Sequence, residues 1–439
     1  MNARTMAQTF RSFDGTERAT GRAARPERRS DLAAAVGSDA SFIARGAGLS
    51  YCAASMGDGV LSVDMTRLNR VLAFDPVTGE ITVEPGLSVG VLTELLAERG
   101  RWLPPLPGYP SISVGGCVAF DTHGKSQLHS GTFGDWVIRL TLLHPAHGEL
   151  ECSRSEHADL FGLTVGGMGL TGLITSVTLK TEPLPGSALE IEVVPVSSLY
   201  EAPACMSEAA PGVACLYSWH DLTRPGRELG PGIVFLERFV TARPASRRRP
   251  LLDVATRAPL GLWSRLFTTL ALYGYRATQS PGRRRVLPLM QALFPIYGLE
   301  IYYFAFGRRG LREYQVIVPH ERWRQFLDDL RPLLVSARIP ITLASLKLFS
   351  GSAHHLRFNG TGVCLALDVP AVPAARALFG ALDELAHRHG ARINLSKDSR
   401  VEQETCRRLF PGYDTFTSEL RAFDPARRCR SRLRERLGV

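Results

Sequence analysis

The stretch GGMGLTGLITSVTLKTEPL, residues 166–184, contains the spacing Gly167-x-Gly169-x-x-Gly172. That spacing is the dinucleotide fingerprint of a Rossmann domain when a strand precedes the glycines and a helix follows them. Here the glycines are followed by LITSVTLKT, in which β-branched and apolar residues alternate with polar ones as in a strand. Because the helix that the fingerprint requires is missing, the sequence argues against a Rossmann domain.

The residues around this stretch, 33–180, alternate short β-branched runs with glycine-rich turns. RVLAFDPVTGEITVEPG (70–86) predicts a β-hairpin, because two alternating runs flank a turn signal. Ser88 can then cap a helix that ends at Gly100. Residues 102–137 are too rich in Gly, Pro and Ser for a regular element, and such a segment within a compact region usually wraps a ligand.

The totals describe a folded chain of more than one domain. With 439 residues and 45% hydrophobic content, two domains of about 150–250 residues are expected. The eight cysteines have no zinc-site spacing, which indicates reduced, mostly buried thiols. The N-terminus lacks the apolar core of a secretory signal and no apolar run reaches about 18 residues, so we expect a cytoplasmic protein.

The net charge of +10 is concentrated in arginine clusters. They lie at Arg22–Arg29, Arg247–Arg249 and Arg283–Arg285. Such clusters suit phosphates, acidic membrane surfaces or nucleic acid, although a solvated arginine-rich surface explains them equally well. Nucleic acid is disfavoured, because no zinc finger, helix-turn-helix or aromatic-basic RNA motif accompanies the charge.

The sequence changes character after about residue 188, where a second domain is expected. Helices are predicted near 321–338 and 371–389, followed by a strand with a charged tip at 391–400 and a polar, arginine-rich terminal helix. The segment 250–290 is apolar and aromatic and lies between two arginine clusters. It is too short to span a bilayer, and it fits either a lid or membrane-surface element or an ordinary buried helix pair.

Eight different short motifs occur one after another along the chain. They are ARGAGLSY (44–51), LPGYPSISVGG (106–116), DTHGKSQLHSGTFG (121–134), TVGGMGLTGLI (164–174), YQVIVP (314–319), LKLFSG (346–351), SKDSR (396–400) and a terminal DP at 424–425. In this order they make the chain resemble the vanillyl-alcohol oxidase/p-cresol methylhydroxylase (PCMH) superfamily of flavoproteins over nearly its whole length. Within that superfamily the chain is most similar to the decaprenylphosphoryl-β-D-ribose 2-oxidases.

The resemblance implies an α+β fold. It consists of a two-subdomain PCMH-type FAD-binding domain and a substrate domain with an antiparallel sheet flanked by helices. The implied FAD-binding domain spans 1–188, and the substrate domain spans 189–390 with a basic, apolar lid at 250–290. Residues 391–439 would then form a C-terminal segment that completes the FAD domain.

The resemblance also implies a site for FAD. A pyrophosphate needs close backbone N–H donors, which Gly46 and Gly48 permit because no side chain blocks the approach. The implied cofactor-binding residues are Arg45, Gly46, Ala47, Gly48, Leu49, Ser50, Tyr51, Pro107, Gly108, Val114, Gly115, Gly116, Cys117, His123, Gly124, Lys125, Gly131, Thr132, Gly169, Gly172 and Ile174. Covalent members of the superfamily have a histidine after the last glycine, whereas this chain has Leu49, so FAD is expected to be non-covalently bound.

The implied chemistry needs a group beside the reacting hydroxyl. Oxidation of a secondary alcohol transfers a hydride from carbon to the flavin. At the same time a base accepts the hydroxyl proton, or a positive group stabilises the negative charge on the hydroxyl oxygen. By resemblance Lys397 is the first catalytic candidate, although a surface salt bridge to Asp398 is the alternative. Lys347, Gln315 and His123 match the pocket residues of the family. The histidine pairs at 354–355 and 387–389 are interpreted as surface residues, and no metal site is predicted.

Several positions depart from the family pattern. Cys52-Ala53 replaces a Gly-Asp pair, and Glu313 replaces a glutamine. Ala366 occupies the position of a family cysteine, with Cys364 two residues earlier, and Asn394 replaces an aromatic residue. These changes suggest that the cofactor is retained while the sugar or its carrier differs.

Three functions remain open at this point. The first is oxidation of the 2-hydroxyl of a polyprenylphosphoryl pentose, as the oxidising half of an epimerisation in cell wall biosynthesis. A separate NADH-dependent reductase and a peripheral contact with the inner membrane surface would accompany it. The second is a soluble sugar, alditol or aldonolactone oxidase of the same fold in a secondary-metabolite pathway. The third is a non-catalytic flavin-binding or phosphate-binding protein, or a basic nucleic-acid binder, and the presence of Lys397 disfavours it.

Overall fold

A computed structural model describes residues 5–37, 41–223, 226, 228–245, 252–279, 282 and 284–439. The arginine cluster at 247–249 and Arg283 lie outside the described residues. The first sheet contains β1 (Met6–Arg11), β2 (Arg18–Ala24), β3 (Phe42–Arg45) and β4 (Leu61–Asp64), in the order β1-β2-β4-β3. β2 and β3 run parallel to β4, and α1 (Ser30–Val36) connects β2 to β3.

The second sheet is formed by five of the strands between residues 71 and 183. The strands of this region are β5 (Val71–Phe74), β6 (Ile81–Val83), β7 (Arg101–Trp102), β8 (Val137–His144), β9 (Gly148–Ser153), β10 (Leu173–Leu179) and β11 (Glu182–Pro183). Five of them form an antiparallel sheet in the order β5-β6-β10-β8-β9, while β7 and β11 pair separately. The predicted hairpin at 70–86 and the strand after the glycines of 166–172 are both confirmed, which excludes the Rossmann arrangement.

Four α-helices accompany the second sheet: α2 (Val89–Glu98), α3 (Val114–Phe120), α4 (Gln127–Ser130) and α5 (Ala158–Thr164). Ser88 caps α2 by accepting a hydrogen bond from the Val91 amide, as predicted. The prediction that 102–137 lacks regular elements is wrong, because α3 and α4 lie within it. The Ser113 hydroxyl caps α3 by accepting from the Gly116 amide, so a serine cap overrides the low helix propensity of the glycines.

The third sheet has eight antiparallel strands. They are β12 (Ala188–Val196), β13 (Cys215–His220), β14 (Gly232–Val240), β15 (Arg285–Pro288), β16 (Leu311–Val318), β17 (Leu343–Phe349), β18 (Gly362–Pro370) and β19 (Arg392–Ile393). Their order is β15-β12-β14-β13-β17-β18-β16-β19. Short 3₁₀ turns occur at Met65–Arg67, Phe133–Trp136 and His320–Arg322.

The remaining helices are α6 (Ala202–Ala209), α7 (Arg265–Ala277), α8 (Leu289–Leu293), α9 (Ile301–Phe304), α10 (Trp323–Ala337), α11 (Pro373–Arg388), α12 (Gln403–Leu409), α13 (Tyr413–Phe423) and α14 (Arg432–Leu437). α6, α10 and α11 share one apolar core with the third sheet, and residues of β12, β13 and β14 also share a core with the second sheet. The large sheet therefore packs against α6, α10 and α11 in one core and against the second sheet in another. The predicted α+β class, with an antiparallel sheet flanked by helices, is confirmed.

The C-terminal residues pack against the first sheet. The Phe42 amide donates to the Arg428 carbonyl at 2.8 Å, and Phe42 forms a parallel bridge with Cys429. Within 391–400 only Arg392–Ile393 is a strand, because the Asn394 side chain accepts from the Ser396 amide and turns the chain. The predicted arginine-rich terminal helix is present as α14 at Arg432–Leu437, and its residues Leu433, Arg434 and Leu437 are buried.

Two further expectations concern cysteines and histidines. All eight cysteines are free, and all except Cys205 are buried, as predicted. His355 and His389 are largely buried rather than on the surface, and they lie 3.3 Å from Glu419 and 2.9 Å from Asp329. Among the described residues, no helix combines the length and the apolarity needed to cross a membrane.

Candidate active site

A cavity of about 340 Å³ lies between the glycine loops and the third sheet. The predicted site residues that line it are Gly46, Ala47, Gly48, Leu49, Ser50, Tyr51, Pro107, Gly108, Gly115, Gly116, His123, Gly124, Lys125, Gly169, Gly172, Ile174, Gln315, Lys347 and Lys397. Arg45, Val114, Cys117, Gly131 and Thr132 do not line it. The tertiary structure thus brings residues more than 300 positions apart in the chain to one cavity.

The loop 46–50 that follows β3 forms one wall of the cavity. Among the described residues, none accepts a hydrogen bond from the five backbone amides of this loop. Gly48 has a φ of +71°, which favours glycine, and a Cβ on Gly46 would lie 2.1 Å from the Ser113 hydroxyl. Consecutive free amides on a side-chain-free loop can bind an anion such as a pyrophosphate.

Arg45 contacts this loop without lining the cavity. Its guanidinium donates to the Ser55 hydroxyl at 2.9 Å and lies 5.1 Å from the centre of the Phe10 ring. A Cβ on Gly48 would meet the same guanidinium at 2.3 Å. Arg45 therefore packs beneath the loop and does not line the cavity.

The second glycine segment positions α3 against its neighbours. The amides of Val114 and Gly115 donate to the carbonyls of Leu87 and Pro85, at 2.9 and 2.8 Å. Val114 and Cys117 are buried in the apolar core. Gly131 and Thr132 lie in a turn held by Asp135, whose carboxylate accepts from the Thr132 amide. Val114, Cys117, Gly131 and Thr132 therefore support the cavity wall without lining it.

The third glycine segment precedes β10. Gly169 has a φ of +76° and lines the cavity together with Gly172 and Ile174. At Gly172 the φ is +134°, and a Cβ there would lie 2.6 Å from the Leu143 carbonyl oxygen. Only glycine permits this close approach of the turn to β8.

His123, Gln315 and Asn394 form a chain of hydrogen bonds along the cavity. The Gln315 amide nitrogen lies 3.1 Å from His123 Nε2, and the Asn394 amide donates to Gln315 Oε1 at 2.6 Å. This geometry makes His123 Nε2 the acceptor, so its proton is assigned to Nδ1. Burial lowers the pKa of His123 well below its usual value, and the charges of Lys347 and Lys397 add to this effect.

Lys397 faces the cavity and pairs with Glu313 rather than with Asp398. Its Nζ lies 3.0 Å from Glu313 Oε2 and 4.2 Å from the centre of the Tyr51 ring. Asp398 instead contacts Arg400 at 3.0 Å. The backbone amide of Tyr51 donates to the Ser396 carbonyl at 3.3 Å, which connects the loop 46–50 to the segment that carries Lys397.

The other two lysines of the cavity differ in their partners. Lys125 Nζ lies 2.8 Å from Glu237 Oε1 and also contacts the Ala292 carbonyl, so its charge is already neutralised. Lys347 forms no ion pair with any described residue. Burial lowers the pKa of Lys347, as expected for an ammonium without a paired carboxylate.

Asp368 and Tyr302 are cavity residues that the sequence analysis did not predict. The Tyr302 hydroxyl donates to Asp368 Oδ2 at 2.7 Å and lies 2.9 Å from the Thr342 hydroxyl. Burial, and next the charge of Glu313, raise the pKa of Asp368 to about 8. The Asp-x-Pro end of β18 is the one sequence signal near Asp368, while Tyr302 lies in an aromatic run without a recognisable motif.

His144, Asp424 and Cys429 form a buried group whose ligand-type atoms lie within 4.8 Å of one another. Asp424 already accepts from Arg434 at 2.9 Å and from the backbone amides of Arg428 and Cys429. Burial raises the pKa of the Cys429 thiol far above its usual range. These contacts satisfy the carboxylate, so we interpret the group as structural.

Comparison with known proteins supports a flavin site. A family described as an FAD binding domain matches residues 22–153. The chain is 29% identical over 398 residues to the decaprenylphosphoryl-β-D-ribose oxidase of Mycolicibacterium smegmatis, which covers 87% of this chain and 86% of that protein. It is also 29% identical over 369 residues to an uncharacterised protein of Streptomyces coelicolor, covering 79% of this chain and 99% of that protein. A shorter match, 34% over 126 residues, covers 29% of this chain and 28% of the L-gulonolactone oxidase of Mus musculus.

The residues present fit FAD. The free amides of 46–50 suit its pyrophosphate, and the glycine loops leave the cavity wall without side chains at Gly46 and Gly169. The matched residues 22–153 contain the first two of these glycine segments. FAD is therefore the cofactor, and the free amides of the loop after β3 fit its phosphate end.

Proposed function

We propose that this chain, an FAD-dependent oxidoreductase of the vanillyl-alcohol oxidase/PCMH superfamily that acts on sugar-type CH–OH groups, oxidises the 2-hydroxyl of a polyprenylphosphoryl pentose. The reaction would be the oxidising half of an epimerisation that a separate NADH-dependent reductase completes. The proposal rests on one observation: Lys397, Lys347, Gln315 and His123 share a cavity with the glycine loops. The similarity to the mycobacterial oxidase over most of both chains supports it.

The roles of the polar residues follow from their contacts. Bound FAD supplies a two-electron acceptor for hydride. The carbon-bound hydrogen would leave as hydride to FAD and the hydroxyl proton would pass to solvent, which reaches this position because the Lys397 side chain is 31% exposed. The Lys397 ammonium stabilises the negative charge that develops on the hydroxyl oxygen, and Glu313 at 3.0 Å holds the ammonium in place. The hydrogen-bonded chain from His123 through Gln315 to Asn394 fixes the turn that carries Lys397, whose amide donates to the Asn394 carbonyl at 3.1 Å.

The lipid-phosphate part of the proposal rests on Lys347 and on the apolar wall. Lys347 is the cavity lysine without an ion-pair partner among the described residues, so it is available to a substrate phosphate. Val254, Ile296 and Tyr303 line the same cavity and offer apolar surface to an isoprenoid chain. A polyprenyl phosphate, with its charged phosphate followed by an apolar chain, matches a cavity that combines this lysine with an apolar wall.

A soluble sugar or aldonolactone oxidase is the second candidate. Glu313 favours it, because its carboxylate neutralises Lys397 and lines the cavity where an anionic substrate would be repelled. The partial similarity to L-gulonolactone oxidase agrees with this alternative.

Anaerobic mixing of the flavin-loaded protein with candidate substrates separates the two. Polyprenylphosphoryl ribose is added to one sample and free pentoses or aldonolactones to others, and bleaching of the flavin absorbance is followed. We expect bleaching by the lipid-linked sugar. Bleaching by free sugars or lactones alone would favour the soluble oxidase, and protein that neither retains nor regains FAD would contradict both candidates.

The role of Lys397 is tested by Lys397→Ala. Loss of the positive charge should slow flavin reduction roughly 10²- to 10⁴-fold while FAD remains bound. Lys180→Ala is the matched control, because Lys180 is exposed and contacts only the Trp136 ring among the aromatic residues described. Equal reduction rates in the two variants would refute the assigned role.

A further inference from the structure

Exposed apolar side chains are concentrated in one region of the surface. Between residues 260 and 301 the exposed large hydrophobic residues are Leu260, Leu262, Leu266, Phe267, Leu270, Tyr273, Val286 and Ile301. Elsewhere in the described chain such residues are fewer and scattered, as at Val77, Val91 and Val335. Single exposed apolar residues are ordinary, whereas a contiguous group marks an interaction surface.

α7 directs its apolar face outwards. Leu266, Leu270 and Tyr273 are 71%, 60% and 73% exposed, and their spacing places them on one side of the helix. Thr268 is buried, and the Tyr275 ring lies 5.4 Å from that of Trp219, so the opposite side contacts the protein. A surface helix normally presents its apolar side to the core. We therefore interpret the outer face of α7, defined by Leu266, Leu270 and Tyr273, as an interaction surface.

The segment that carries this face has charges of one sign, and the carboxylates within 4 Å of its described arginines, those of Asp221, Glu190 and Glu192, belong to other parts of the chain. The sequence from Val254 to Leu299 contains no Asp or Glu, and its charged residues are Arg257, Arg265, Arg276, Arg283, Arg284 and Arg285. Arg276 and Arg284 approach carboxylates only at 3.8 and 3.5 Å, on largely exposed side chains, so their charge remains available. Exposed leucines and aromatic residues beside arginines are typical of helices that lie in the interface of an anionic bilayer.

A second copy of the chain fits this face less well. A symmetric dimer would oppose the same arginines across its interface, and like charges facing one another are unfavourable. An anionic surface is complementary to both the charge and the apolar residues.

The face also lies next to the active-site cavity. The Trp263 ring, one residue before the cap of α7, lies 5.2 Å from Phe267 and 5.5 Å from Tyr302. Tyr302 lines the cavity and donates to Asp368. A chain docked through α7 would therefore hold its cavity close to the lipid surface.

We propose that the outer face of α7 docks on the surface of an anionic lipid bilayer, with Leu266, Leu270 and Tyr273 inserted and the neighbouring arginines on the headgroups. This docking depends on the surface of α7 alone and holds whether or not the sugar is lipid-linked.

The test is co-sedimentation of the flavin-loaded protein with vesicles of phosphatidylcholine alone and of phosphatidylcholine mixed with phosphatidylglycerol. We expect binding to the anionic vesicles that weakens as salt rises. The variant Leu266→Gln/Leu270→Gln/Tyr273→Gln should bind at least about tenfold more weakly, because it loses the inserted apolar surface. Both proteins should retain the same flavin content, since none of the three residues lines the cavity.

Val77→Gln/Val91→Gln/Val335→Gln is the matched control, because it removes three exposed apolar residues outside α7. It should bind anionic vesicles like the wild type. Absence of wild-type binding, equal binding to neutral and anionic vesicles, or unchanged binding of the α7 variant would overturn the proposal. A dimer that the α7 variant abolishes, without vesicle binding by the wild type, would assign the face to a second copy instead. Because vesicle binding is measured without substrate, its failure is distinct from a failure to oxidise the sugar.

Discussion

At the residue scale, the cavity combines two carboxyl groups, of Glu313 and Asp368, with three lysines, Lys125, Lys347 and Lys397. Glu313 forms an ion pair with Lys397 at 3.0 Å. Asp368 instead accepts a hydrogen bond from the Tyr302 hydroxyl and forms no ion pair with a lysine of the described chain. The buried Asp368 consequently has a pKa raised to about 8, mainly by desolvation. At neutral pH it holds a proton that a solvent-exposed aspartate would release.

We expect Asp368 to make stability depend on pH. The unfolded chain releases this proton near pH 4, while the folded chain keeps it until about pH 8, so the free energy of unfolding falls as pH rises across that interval. Asp368→Asn should remove this contribution. Urea unfolding at about pH 5 and about pH 8 should show the variant gaining at least about 1.4 kcal/mol relative to the wild type at the higher pH. Parallel pH dependences in the two proteins would contradict the expectation.

Cys52 directly follows the first glycine motif, and with Ala53 it replaces the Gly-Asp pair of the family pattern. Its thiol is buried 3.0 Å from the Ser50 hydroxyl, and burial raises its pKa to about 11. The Arg436 guanidinium donates to its carbonyl at 3.4 Å. Cys52 is therefore a packing residue that links the loop to the C-terminal helix, and no reactive thiolate is expected there.

At the element scale, the loop after β3 and the start of α3 depend on each other. Gly46 faces Ser113, and Ser113 caps α3. The sequence predicted both glycine segments as ligand-binding and predicted α2 and the 70–86 hairpin. It did not predict α3, because glycine content alone argues against a helix, whereas the cap and the contact of Gly115 with Pro85 stabilise it in the fold.

Gly46→Ala tests this dependence. The new Cβ would lie 2.1 Å from the Ser113 hydroxyl, so the loop or the cap must move and the free amides lose their arrangement. We expect FAD affinity to fall at least about tenfold, measured as flavin absorbance per protein during titration. In the control Gly380→Ala, the Cβ meets nothing within 4 Å inside α11, so FAD binding should be unchanged and stability should rise by roughly 0.5–1 kcal/mol. Full FAD affinity in Gly46→Ala would contradict the role of the loop.

At the scale of the whole molecule, the C-terminal segment that pairs with β3 contains a buried ion pair. Arg434 of α14 lies 2.9 Å from Asp424, and both side chains are fully buried. Arg434 Nε also donates to the Val439 carbonyl at 3.0 Å. In the same segment, the Arg428 carbonyl accepts a hydrogen bond from the Phe42 amide of β3. These contacts are those expected of a C-terminal segment that completes the FAD domain, and the domain boundaries at 188 and 390 remain a proposal.

Arg434→Met should destabilise the protein strongly, because it leaves the Asp424 carboxylate buried without its charge partner. We expect a loss of about 3–5 kcal/mol in the free energy of unfolding, measured by urea denaturation. Arg430→Ala removes an ion pair of the same segment whose side chains are 48% and 41% exposed, and it should cost at most about 1 kcal/mol. Similar losses in the two variants would contradict the structural role of Arg434.

Local sequence patterns predicted the 70–86 hairpin, α2 and the strand that follows Gly172, since glycine spacing and the alternation of apolar residues express the conformation of each segment directly. The resemblance carried by the motifs at 44–51, 106–116 and 164–174 implied the α+β class and Lys397 with Lys347 as cavity candidates. The tertiary structure decided the partners: Glu313 for Lys397, Glu237 for Lys125, Tyr302 for Asp368 and Arg434 for Asp424. It also decided that the apolar side of α7 faces outwards. Periodicity reveals that a helix has an apolar face, but whether that face is covered depends on long-range packing of distant segments, which local patterns do not record.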